Sequence, residues 1–187
     1  MFLKSTTRRI SLLALLALAP STFLSAMDAT KRVSLEREGT ELIGQVEDVA
    51  QDIRYNADRL HSFNNHTRVS NWTHYHHLEQ IKSLVNNGLQ PALSRLTEIQ
   101  PQLPAWKQQA IDQMLASANA LAADTNAAIL NKNENRTMPA PLNAEYTKTI
   151  KRINDHAENL VKTSDAAGDF ANAHLKATEA GIPVHTQ

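Results

Sequence analysis

Four stripes of apolar residues, each recurring at steps of three and four over some thirty residues, constrain this chain more than any other feature. In the first, Leu35, Leu42, Val46, Val49, Ile53, Leu60 and Phe63 share one side at about 100° per residue. Glu47, Asp48, Asp52, Arg54 and Asp58 lie off it. From Leu42 onward the spacing approaches a heptad seam, with polar Asn56 filling one place. This predicts a helix from about Thr30 to His61.

The second stripe is Leu78, Ile81, Val85, Leu89, Ala92, Leu96 and Ile99, with Ser70 or Asn71 as its N-cap. Asn86-Asn87-Gly88 and Pro91 interrupt it. Proline lacks a donor and crowds the carbonyl four residues back, so a kink is expected near Pro91. The apolar register runs through it, which favours one kinked helix over two. Pro101 and Pro104 mark a tight connection, and Pro104 suits the first turn of a new helix. The third stripe is Ile111, Met114, Leu115, Ala118, Leu121, Ala122, Thr125, Ala128 and Ile129. Its alanines favour helix and close packing. A polar, proline-containing loop spans Asn131 to Pro141. Asn143 can cap the fourth helix, whose stripe is Tyr146, Ile150, Ile153, Ala157, Leu160, Ser164, Ala167 and Ala171, with Gly181 and Pro183 ending it.

No one of these helices can bury its stripe alone. Short connections between long helices favour antiparallel neighbours, so the expected fold is all-α, an up-down-up-down antiparallel four-helix bundle. Five glycines and 5% aromatic residues argue against an all-β chain. No period-2 segment is long enough for a strand, and no phosphate loop, nucleophile elbow or paired metalloprotease histidines occur.

The first 26 residues read as a secretory signal: Lys4, Arg8 and Arg9, an apolar run from Ile10 to Ala19, Pro20, then Leu24-Ser25-Ala26 as a cleavage site. The apolar run is about half of the roughly 20 residues needed to span a bilayer. Thr7-Arg8-Arg9-Ile10-Ser11-Leu12 hints at a twin-arginine signal, but Ser11 stands where such signals prefer Phe, which favours the general secretory route. The expectation is a single domain from Met27 to Gln187, exported to the periplasm or beyond. The whole chain carries 19 basic and 19 acidic residues, and removing the signal leaves a slight acidic excess. That balance excludes a strongly basic nucleic-acid binder. Zero cysteines exclude disulfides, thiolate catalysis and Cys-bound metal, so an exported chain must be held by its core alone, and a lipoprotein anchor is not expected.

Five of eight histidines lie between positions 61 and 77: His61, His66, His74, His76 and His77. His74 continues the second stripe inward, four residues before Leu78, and His77 shares its side. His61 and His66 lie where the first helix ends and its loop begins. Neutral imidazoles suit Cu, Zn or Ni, so His74 and His77, with His61 or His66 and Glu134 from the opposite loop, are candidate ligands. The bland alternative is a set of polar cap and loop residues, because the spacing matches no specific metal signature. Asn65-His66-Thr67 and Asn71-Trp72-Thr73 fit the glycosylation pattern, but the signal has a bacterial look and such triplets are common.

Met114 and His156 fall at similar heights on the third and fourth helices. Met with His is an axial pair for b-type haem. The arrangement resembles, in general shape, the exported four-helix cytochromes, although those take their ligands from the first and last helices. Against it, Met114 fits as core filler. Trp72 and Trp106 are expected to anchor opposite ends of the bundle. No paired catalytic carboxylates or nucleophile constellation stands out. The leading expectation is therefore a non-catalytic bundle acting by binding, on a protein partner or a second copy; transition-metal binding is second and haem third.

Overall fold

The computed structural model describes residues 21–64 and 66–179. Most of the expected signal, residues 1–20, lies outside the described residues, as do the Asn65 sequon and the predicted stop at Gly181 and Pro183. Described are α1 (Ser21–Phe63), α2 (Asn71–Leu84), α3 (Gln90–Ile99), α4 (Ala105–Glu134) and α5 (Ala144–Glu179). A π-helical turn, Val85–Leu89, joins α2 directly to α3, so the five helices make four rods. No strand occurs among the described residues, and none of their helices is long and apolar enough to cross a membrane.

The boundaries follow local chemistry. Ser70 caps α2, its hydroxyl accepting from the Thr73 N–H at 3.2 Å. Asn143 caps α5, its Oδ1 accepting from the Tyr146 N–H at 3.0 Å. Both satisfy donors that a helix start leaves unpaired. At the π turn the Gln90 N–H reaches back five residues to the Val85 carbonyl. Widening the helix there gives room for the Pro91 ring, which would crowd the carbonyl four residues before it. Gly88 lies in that turn, and a Cβ on it would stand 2.8 Å from Val49 Cγ1. The rod therefore passes α1 at a separation that no side chain allows.

Three of the stripes fill the core as expected. Leu78 to Ile99 along α2 and α3, Ile111 to Ile129 along α4, and Tyr146 to Ala171 along α5 are buried, with Leu115 and Ala122 on the flank. The α1 stripe is re-centred by about one residue. Its buried seam is Ile43, Val46, Ala50, Ile53, Ala57 and Leu60, a strict three-four alternation. Leu35, Leu42 and Val49 sit half-buried beside it. Ala50 and Ala57 do not stand out by size, yet small residues are what let α1 approach its neighbours. Each buried Leu, Ile or Val contributes roughly 1.5–3 kcal/mol relative to exposure.

Packing brings α1 against α5, α2 and α3, and α4 against α5 and α2. Asn64, just past α1, donates to the Thr147 carbonyl near the start of α5 at 3.4 Å. Lys107, near the start of α4, donates to the Glu36 carbonyl in the first half of α1 at 2.8 Å.

Candidate functional site

A cluster of buried polar residues lies at the loop-bearing end, where α2 and α5 begin and α4 finishes. Asn71, the first residue of α2, is held on three sides. Its Nδ2 donates to the carbonyls of Arg136 at 2.7 Å and Met138 at 3.3 Å, and its Oδ1 accepts from Lys132 Nζ at 2.8 Å. Lys132 is only 4% exposed. It also donates to the Met138 carbonyl at 3.3 Å and lies 4.8 Å from the Tyr146 ring centroid. Its partners are neutral, and burial lowers its pKa. A lysine in the last turn of a helix is favoured by the helix dipole, which helps it stay charged there.

Tyr146 and His74 form the centre of the cluster, both fully buried. The phenol oxygen lies 3.1 Å from His74 Nδ1. His74 Nε2 is buried with no hydrogen-bond partner. Phe63 at the end of α1 places its ring 6.1 Å from that of His74 and 5.6 Å from that of His77. Burial, then Lys132, then His77 bring the His74 pKa down to about 4. Burial pushes the Tyr146 phenol up. His77 is lowered by burial, His76 and Arg59, and its Nδ1 meets Asn56 Oδ1 at 2.8 Å. Asn56 thereby explains its place on the α1 seam: it also donates to the Asp52 carbonyl at 2.9 Å. The other polar seam positions, Thr125 and Ser164, donate to carbonyls of their own helices.

The candidate metal ligands sit in different surroundings. His74 is buried, and its Nδ1 meets the Tyr146 hydroxyl. His77 is turned to Asn56, and His61, His66 and Glu134 are exposed. Among the described residues, no three His, Asp or Glu side chains are placed to hold a metal ion. The candidate haem pair is likewise engaged elsewhere. Met114 is buried in the core, and His156 Nε2 lies 3.4 Å from Asp124, which also takes a bidentate pair of bonds from Arg152.

Trp72 corrects an expectation. It does not anchor the bundle end; it is 71% exposed and stacks on His76, rings 5.4 Å apart and 7° from parallel. The turn that carries it faces outward because His74 and Leu78 take the inward positions. Trp106 does pack, edge-on to Phe170 at 4.6 Å. The Asn71 amide, a candidate glycosylation acceptor, is used up in the clamp. Two residues of weight escaped the sequence reading, Lys107 and Lys132. Each continues the α4 stripe, four before Ile111 and three after Ile129, and that continuation was the available signal.

No protein-family model matches this chain, and no curated protein or solved structure is found to be similar to it.

Proposed function

We propose that this chain is an exported, non-catalytic helical bundle that works by binding a protein partner through its loop-bearing end, with Trp72 as the anchor. The carrying observation is the exposure of Trp72 on a rigid base. Its indole rests on His76, and the residue before it is clamped to α4 and to the 135–143 loop. A large aromatic held rigid before contact loses little conformational entropy on binding, which is what marks hot-spot residues. Tyr75, Leu130, Met138 and Leu142 are also exposed large apolar residues at the same end of the rods. The end-to-end contacts of α1 with α5 and of α2 with α4 support an up-down-up-down order of the four rods. The π turn before Pro91 supports a bend in the second. That order gathers the α1–α2 and α4–α5 connections on one end.

A photo-crosslinking amino acid at Met138, compared with one at Lys162 on the outer face of α5, tests this in cells that express the chain. The expected result is a discrete adduct from position 138 that Trp72→Ala abolishes, its mass separating a second copy from another protein. The same adducts from both positions, or none from 138, would overturn the reading.

A further inference from the structure

We infer that the buried His74–Tyr146–Lys132 cluster is an acid-sensitive latch: protonation of His74 releases the first turns of α2 and the 135–143 loop from the ends of α4 and α5. This stands on the cluster's own geometry and does not depend on what Trp72 touches.

The hydrogen-bond inventory is one acceptor short even at neutral pH. Neutral imidazole carries one N–H and the phenol carries one O–H. If the phenol donates to His74 Nδ1, the Nε2–H is left without an acceptor, since that nitrogen has no partner. If Nδ1–H donates to the phenol oxygen, the phenol proton is left instead. Protonation of His74 makes both nitrogens donors, so two donors then lack acceptors in a site closed to water. An unpaired buried donor is costly, and an uncompensated buried charge more so.

The surroundings offer the new charge nothing. The groups that face His74 are Lys132 from α4, Tyr146 from α5, His77 from its own helix and the Phe63 ring from α1. None of these is negative. Lys132 is already a cation with neutral partners, and His77 stands below its own ordinary range. The depression of His74 from 6.5 to about 4 agrees with this geometry. The sign follows. His74 is neutral in the closed state and takes up a proton with ordinary affinity once water reaches it. The closed state therefore weakens as pH falls below about 6.5, and the loss is complete near pH 4. The same elements carry the Asn71 clamp, so they open together.

Amide hydrogen exchange of the full chain from pH 7 to pH 4, corrected for intrinsic exchange, reads the latch directly. Peptides over residues 66–80 and 132–146 should lose protection by on the order of a hundredfold at pH 4, while those over 105–115, which can open without exposing His74, lose less. His74→Phe cannot take up a proton and should remove the fall. An equal fall at both ends, or a fall that persists in His74→Phe, would overturn the latch. Should that variant fail to fold, an NMR titration of the wild-type His74 ring decides. A midpoint below about 5.5 supports the latch, and one at or above that value overturns it.

Discussion

The two ends of α4 solve the same problem by different means. Each buries a lysine to 4% exposure with hydrogen bonds to neutral oxygens. At the loop-bearing end Lys132 ties α4 to α2 and to the 135–143 loop, beside a fully buried tyrosine and histidine. At the other end Lys107 ties α4 to α1 through the Glu36 carbonyl and Thr40 Oγ1, at 2.8 and 2.9 Å. There the neighbouring aromatics, Trp106 and Phe170, border a shallow groove of about 240 Å³ and stay partly wet. The first end is a dry polar centre; the second is a tie across two helices with solvent nearby. A dry centre is sensitive to volume and charge, whereas a wet tie relaxes. Paired perturbations of the two ends test that difference.

Volume separates them most. Tyr146→Ala removes a fully buried ring and leaves a cavity that also strands His74 Nδ1, so it should cost about 3–5 kcal/mol. Trp106→Ala removes a half-buried ring beside an open groove, so the cost should be about half as large. Urea unfolding at pH 7 measures both, and equal losses would erase the distinction.

Acid comes next. Because the His74 pKa is lowered to about 4, the His74 contribution to stability should be level above about pH 7 and fall by about 2–3 kcal/mol on the way to pH 4. Lys132 is the second cause of that depression, so Lys132→Met should reduce the acid-induced loss. Lys107→Met lies at the far end of the helix and should leave it unchanged. Chemical denaturation at pH 7 and pH 4 of the three proteins measures this. An equal acid-induced loss in the two variants would break the comparison.

At neutral pH the same two substitutions should differ by less. Lys132 sits in the last turn of α4, where the helix dipole favours a cation, and Lys107 near its first turn, where the dipole opposes one. Lys132→Met should therefore cost about 1–2 kcal/mol more than Lys107→Met. Thermal melts of the pair suffice, and a reversed order would show that the loop clamp contributes less than the tie to α1.

The same contrast explains what could be read in the sequence. The apolar stripes carried nearly all of α2 to α5, because Leu, Ile and Ala at helical spacing have few other places to go. On α1 the seam was misplaced by about one residue, since Ala50 and Ala57 are too small to stand out by hydrophobicity yet set the closest approach. His74 was legible as an inward position. Its partner was not, because Tyr146 lies 72 residues away and reads as ordinary core. The buried lysines were hidden by charge, which argues for the surface unless the stripe is followed past its last apolar member. Trp72 was misplaced because a bulky aromatic at a helix start suggests anchoring, whereas the inward places of that turn were already taken.

The smallest effects concern the glycines of α1, one near the Lys107 tie and one away from either end. A Cβ on Gly44 meets nothing within 4 Å, so Gly44→Ala should gain up to about 1 kcal/mol from helix propensity alone. A Cβ on Gly39 would stand 3.2 Å from Leu103 Cδ1 and 3.3 Å from its Cδ2. Those are the tips of a flexible side chain in the connection before α4, and they need move only a few tenths of an ångström. If the Lys107 end relaxes as its wet groove implies, Gly39→Ala should land within about 0.5 kcal/mol of wild type, the propensity gain offsetting the crowding. A loss of about 2 kcal/mol or more in the same melts would show that this end is packed as rigidly as the one around Tyr146, and the contrast between them would then rest on charge alone.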